Sequence, residues 1–309
     1  MSRVSRANML LMLSAIIWGF AFVAQRLGME YVGPFTFNAV RFALGAAILV
    51  PVLALTRKRR AAMTTSGPKP GAAATLAAGA LLGLIIFTGS SLQQVGLVYT
   101  TAGKAGFITG LYVIFVPMLG LAWGQRTAGG AWAGALLAVA GLYLLSFTGT
   151  WTLSTGDSLV LLSAVAWAIH VQLVGWLVRR YDVILLACLQ FAVCSLFSLL
   201  VSLARETTTM ADLQGAALPI LYAGLLSTGV AFTLQVVAQR HARPAHTAII
   251  LSLEAVFAVL GGWMILGELL SLRGIAGCVL MLGGMLIAQL GPRAGDSGSD
   301  GCKVEGIAP

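Results

Sequence analysis

The sequence predicts an all-α membrane protein of ten transmembrane helices, arranged as two inverted five-helix repeats with both termini in the cytoplasm. Three observations carry this: an apolar composition, a run of bilayer-length apolar segments, and a likeness between the two halves. Of 309 residues, 59% are hydrophobic and only 9% charged, and the mean hydropathy is +0.93. A soluble domain needs about 25% charged residues to solvate its surface. Lipid is therefore the solvent this chain expects, and a bilayer its first partner.

The spans are expected near 8–28, 34–56, 73–98, 103–123, 130–147, 157–178, 183–204, 216–239, 245–266 and 272–290. A helix needs about 20 apolar residues to cross the hydrocarbon core. The breaks between them are short and carry turn or charge signals, such as RKRRAAMTTSGPKPG, GQRTAGG, VRRYD and QRHARP. Arg3 and Arg6 before the first apolar run resemble a signal peptide, but that run is too long and lacks a cleavage site, so it reads as a retained span. Cys188, Cys194 and Cys278 fall in spans and Cys302 in the tail, with no disulfide or metal-ligand spacing. No cofactor is expected.

The net charge of +9 is a topology signal and not one for nucleic acid. With the N-terminus inside, 14 of the 19 basic residues fall in cytoplasmic segments, against Arg205 and Arg273 outside and Arg26, Arg41 and Lys104 within spans. That asymmetry is the positive-inside pattern.

Spans 1–5 resemble spans 6–10. SAIIW (14–18) matches SAVAW (163–167), and Arg41-Phe42 falls opposite Gln190-Phe191 at the same offset. Residues 92–115 run parallel to 234–257, pairing Gln93 with Gln235, Lys104 with His246, and Tyr112 with Glu254. Gly134 and Gly141 fall opposite Gly277 and Gly284. The first repeat is placed at 1–148, the second at 149–291, and a disordered polar tail at 292–309. An odd number of spans per half inverts the second half. Inverted repeats are common in secondary transporters, whose sites lie between the halves near the midplane; duplication without transport is the alternative. Glycines one turn apart let helices pack closely, or serve a dimer; a homodimer and a monomer both fit.

Charges within a span need a partner or water. Glu254 is the one acid near the middle of a span, at the depth of Tyr112, Trp18 and Trp167. His170 follows Trp167 by one turn, and Gln93, Gln235 and Tyr99 add polar groups. Trp18, Gln93, Tyr99, Tyr112, Trp167, His170 and Gln235 are the candidate substrate-binding residues, with Glu254 a coupling or structural carboxylate. Helix packing is the rival reading for the tryptophans, as interhelical bonding is for His170 and the glutamines. Arg41 is read as snorkelling to the outer headgroups or pairing with Glu30, and Lys104 likewise as snorkelling. His170 or Tyr112 is expected to neutralise Glu254.

LSLEAVFAVLGGWMILGE (251–268) resembles the ninth-span signature of the EamA family in the drug/metabolite transporter superfamily, and SAIIWGFAFVAQRLG (14–28) resembles its first span. By position the resemblance carries over Glu254, Trp18, Gly267 and Glu268. It implies a multi-pass carrier of the bacterial inner membrane, commonly an exporter of amino acids or related metabolites. Ala255 stands where the family commonly has proline, and a straighter span 9 is the expectation.

The expected function is transport of a small-molecule substrate, amino acids first, by alternating access. A nucleotide-sugar or phosphorylated-metabolite antiporter, or a drug or amine efflux carrier, are the alternatives. No GxxxxGK[ST] loop supplies ATP hydrolysis, and HARPAH (241–246) lacks the HExxH pattern of a zinc enzyme, so no catalytic residue is expected.

Overall fold

A computed structural model describes residues 3–63, 70–125, 129–146, 154–267 and 272–290, and all regular structure among them is helical. In order these are α1 (Arg3–Gly28), α2 (Pro34–Met63), α3 (Ala72–Val98), α4 (Ala102–Gly110), α5 (Tyr112–Ala122), α6 (Gly129–Ser146) and α7 (Thr155–Leu177). There follow α8 (Val183–Arg205), α9 (Met210–Gly215), α10 (Ala217–Leu221), a π-helical segment (Tyr222–Phe232), α11 (Thr233–Ala238), α12 (Pro244–Leu251), α13 (Glu254–Leu266) and α14 (Leu272–Leu290). Eight stretches are long and apolar enough to cross a membrane, with α4–α5, α10–α11 and α12–α13 each counting as one. The chain is a multi-pass membrane protein. The remaining two expected spans, α6 and α14, are shorter apolar helices, and the tail at 292–309 and Glu268 lie outside the described residues.

Helix ends are fixed by local chemistry. Ser154 and Asp157 form a reciprocal capping box at the start of α7, satisfying amides that have no intrahelical acceptor. Pro244 occupies the first turn of α12, where a missing N–H costs nothing. The start of α2 is capped from another helix. Glu206, just past α8, accepts from Phe35 N (2.9 Å), Thr36 N (2.7 Å) and the Thr36 hydroxyl (2.7 Å). A carboxylate there answers both the free amides and the positive end of the helix dipole. Gly267 ends α13 at φ 68°, a left-handed conformation that glycine adopts freely.

Two spans are interrupted at matching points. Between α4 and α5, Leu111 N–H bonds to Ile108 O (3.2 Å) and Ile114 N–H to Leu111 O (3.0 Å). Between α12 and α13, Leu253 N–H bonds to Ile250 O (3.2 Å), Ala255 N–H to Ser252 O (3.1 Å) and Val256 N–H to Leu253 O (3.0 Å). These tight three-residue bonds change the helix phase while keeping the amides satisfied. Leu111 and Leu253 are register partners, and each helix resumes at the next residue, Tyr112 or Glu254. The straighter span 9 expected from Ala255 is therefore corrected. The break is made upstream at Ser252–Leu253 by backbone tightening and requires no proline.

The register also appears in packing. A Cβ on Gly141 of α6 would come within 2.5 Å of Gly277 O on α14, and one on Gly284 of α14 within 2.6 Å of Gly134 O on α6. The contact is reciprocal, each half giving one glycine and one carbonyl, and it lets the two backbones touch. Near the breaks, a Cβ on Gly19 would lie 2.7 Å from Glu254 O, and one on Gly106 2.9 Å from the Ala258 Cβ. Helices α1, α4 and α13 thus meet with little between them.

Gly141→Leu has no room at a backbone contact and is expected to cost about 2 kcal/mol through overpacking, lowering the thermal midpoint in detergent. Gly283→Leu, on α14 where a Cβ meets nothing within 4 Å, is the matched control and leaves the midpoint at or above wild type, since leucine is the better helix former.

Candidate functional site

A partly open cavity lies between the halves, lined from α1, α2, α3, α4, α5, α7, the π segment, α11, α12 and α13. Trp18, Gln93, Tyr112, Trp167, His170, Gln235 and Glu254 all border it. Tyr99 does not. It is the residue after the last turn of α3, 63% exposed, with its Cβ against Gly156. Six residues beyond Gln93, it points about 120° away around the helix, so sharing a span with Gln93 did not give it the same face.

Aromatic rings form the wall. Phe232 is the hub, with ring centroids 4.6 Å from Trp18, 5.8 Å from Trp167, 6.1 Å from His170 and 5.8 Å from Phe191. Edge-on and tilted geometries of this kind suit aromatic quadrupoles. The indoles are anchored from behind. Trp18 Nε1 donates to Ser227 O (3.1 Å) and Trp167 Nε1 to Gln93 Oε1 (2.7 Å). Gln93 in turn donates to Gln25 Oε1 (3.4 Å), and Gln25 to Ala21 O (3.1 Å).

The π segment explains the Trp18 anchor. Its wider turns leave carbonyls for outside donors, and such segments are frequent at functional sites. Trp18 takes Ser227 O, the Ser14 hydroxyl takes Ala231 O (3.0 Å), and the Tyr222 hydroxyl donates back to Ile17 O (3.0 Å). These bonds tie α1 to the segment along one face of the cavity.

The polar interior is only partly satisfied. His170 Nε2 bonds Gln190 Oε1 (3.0 Å), so it is not the partner of Glu254 expected from sequence. Glu254 is 4% exposed and makes no ion pair among the described residues; the Tyr112 hydroxyl is the polar group beside its carboxyl. Thr109 Oγ1 and Gln235 Oε1 are buried on the cavity wall without a hydrogen-bond partner. Unpaired buried polar atoms are costly and are what a polar solute would satisfy.

Arg41 overturns its expectation. It is 3% exposed, lines the cavity, and neither reaches the headgroups nor meets Glu30. Lys104 does not snorkel: its ammonium meets Asp157 Oδ2 at 2.6 Å, and Asp157 also accepts from Thr100 (3.0 Å). Its register partner His246 bonds Asn8 Oδ1 at 3.0 Å, and Asn8 stands at the first-half position equivalent to Asp157. Two equivalent links thus join the first turn of α4 to the first turn of α7, and the first turn of α12 to the second turn of α1.

A multi-pass helical protein with a polar-aromatic cavity between two matched halves is a solute-handling membrane protein by class. The EamA-like transporter family model matches residues 5–147 and again 154–289, and the chain belongs to that family. An "uncharacterized transporter" of Archaeoglobus fulgidus is 32% identical over 92% of this chain and 86% of its own length. The "uncharacterized transporter YoaV" of Bacillus subtilis is 22% identical over 88% and 92%. A crystal structure superposes with a TM-score of 0.72 over 93% of this chain and 97% of its own at 19% identity, a likeness of fold alone.

Sequence reasoning missed Phe232 and Gln25. Phe232 lies three residues before Gln235 on the same span, which was the available signal; Gln25 lies seven after Trp18, also on its face. If the Trp167–Gln93 bond holds the cavity wall, Gln93→Leu and Trp167→Phe should each destabilise by about 1 kcal/mol. A double-mutant cycle on thermal unfolding should give a coupling above about 0.5 kcal/mol.

Proposed function

We propose that the chain is a secondary transporter that moves small polar or amphipathic metabolites, with amino acids the leading class, by alternating access around the central cavity. The observation that carries this is the pair of matched interruptions, at Leu111 and at Ser252–Leu253, which open onto one cavity from opposite halves and place Tyr112 and Glu254 there. Interrupted helices around a site shared by two repeats are how many secondary carriers bind solute. Counting α4–α5, α10–α11 and α12–α13 as single crossings gives five per half, and the odd number inverts the second half. Export across a bacterial inner membrane is the direction and place that the family resemblance implies.

The two links fit the same cycle. With ten crossings, α4 and α7 begin at one end of the bundle and α1 and α12 at the other. Lys104–Asp157 then holds the outer end, and His246–Asn8 the cytoplasmic end. Opening one while keeping the other would expose the cavity to one side at a time. A phosphorylated-metabolite antiporter fits less well, because Lys104 is engaged by Asp157 and leaves Arg41 the only Lys or Arg among the described residues lining the cavity.

Glu254→Gln is expected to abolish the effect of an imposed pH gradient on solute uptake by proteoliposomes while leaving counterflow without a gradient measurable. Equal gradient responses in both proteins remove the coupling role. Lys104→Ala, which spares the Asp157 cap, should raise labelling of the Thr109→Cys variant by an external, membrane-impermeant maleimide several-fold. Asn8→Ala, at the other end, should not.

A further inference from the structure

We infer that Arg41 is the seat for an anionic group of the transported solute, so that the cavity selects carboxylate-bearing zwitterions over the corresponding amines. The inference rests on the transport reading above and names the residue that sets specificity within it.

The Arg41 side chain is built as a receptor with one edge left open. Nε donates to Asn38 Oδ1 at 2.9 Å, fixing the plane of the guanidinium from its own helix. The Phe42 ring covers one face, 4.7 Å from centroid to Cζ, and Phe37 lies at 5.8 Å. The terminal nitrogens make no hydrogen bond or ion pair among the described residues, and the side chain borders the cavity. A buried charge left without a partner is strongly destabilising, whereas a guanidinium fork matches a carboxylate with two parallel bonds. The missing partner is therefore expected in the solute.

The remaining charges narrow the class. Glu254 is the only acid among the described residues lining the cavity, so the lining offers one guanidinium and one carboxyl group. A zwitterion complements both, while an amine leaves Arg41 unmet and a simple acid leaves Glu254 unmet. The basic groups nearby are engaged elsewhere: Lys104 by Asp157 and Arg26 Nη1 by Leu97 O at 2.9 Å. One cation free among the described residues lining the cavity suits a single carboxylate better than a di-anionic phosphate. The second half has no copy of the seat, since the register partner of Arg41 is Gln190, which is bonded to His170. The anionic end of the solute accordingly has one place to go, on α2.

The test uses three compounds sharing one aromatic side chain: phenylalanine, phenethylamine and 3-phenylpropionate. Each competes for counterflow in proteoliposomes and is scored by thermal stabilisation of the purified protein. Wild type should prefer phenylalanine over phenethylamine at least tenfold. Arg41→Gln should weaken phenylalanine and phenylpropionate tenfold or more yet leave phenethylamine within twofold, and Arg41→Lys should recover part of the loss. An unliganded melting midpoint near wild type for Arg41→Lys separates recognition from folding. Equal weakening of all three compounds by Arg41→Gln, or unchanged phenylalanine, overturns the seat. Equal wild-type responses to all three remove the seat and leave the transport reading standing. No response to any of them counts against that reading and the seat together.

Discussion

A backbone amide or carbonyl inside hydrocarbon has no water to bond, so every departure from the α-helix must be satisfied within the protein. The cavity is made of such departures. At Leu111 and at Ser252–Leu253 the chain meets the demand locally, by tightening to three-residue bonds. In the segment Tyr222–Phe232 it meets it through neighbours, by offering Ser227 O to Trp18 and Ala231 O to Ser14. The first device sets Tyr112 and Glu254 at the start of new helices; the second fixes the indole that faces them. Irregular backbone is tolerated at this depth where it lines a cavity.

Much of this was legible in the residues. Span positions follow from length and hydropathy, because lipid leaves few other ways to fold such a chain. The register between halves was legible too, since Trp18 with Trp167, Gln93 with Gln235, and Tyr112 with Glu254 lie at nearly constant offsets. These residues border one cavity, so the comparison of halves located it better than any single motif. Phe232 escaped because its register partner is Ser90; one phenylalanine in an apolar span carries no mark. The π segment escaped because a change of helix pitch leaves no composition signal, apart from the Ser227-Thr228-Gly229 cluster. Arg41 was misjudged from its nearness to the end of its span, where snorkelling is the usual fate of a long basic chain. Its burial depends on the packing of α2 against α8 and the π segment, which no local pattern encodes.

Polar chains behind the aromatic wall give the site its rigidity. Trp167, Gln93 and Gln25 are joined in series, and Gln235 reaches Gln239, which donates to Val171 O at 2.9 Å. Buried networks of this kind orient their members more than they stabilise the fold, because each bond mostly replaces one to water. The rings are thereby presented in fixed positions, which lowers the ordering cost of binding.

The imperfect match between halves has an energetic meaning. In a carrier built from two identical inverted units, the two access states would be related by a two-fold axis in the membrane plane and equally populated. On the transport reading, every unlike pair would break that degeneracy: Phe232 against Ser90, Arg41 against Gln190, and the Lys104–Asp157 salt bridge against the His246–Asn8 hydrogen bond. In such a carrier a difference of about 1.4 kcal/mol between the links would bias the two states tenfold before any ligand arrives. The resting state of such a molecule is thus written in how its two halves differ, and mutating one side of a link retunes it without touching the cavity.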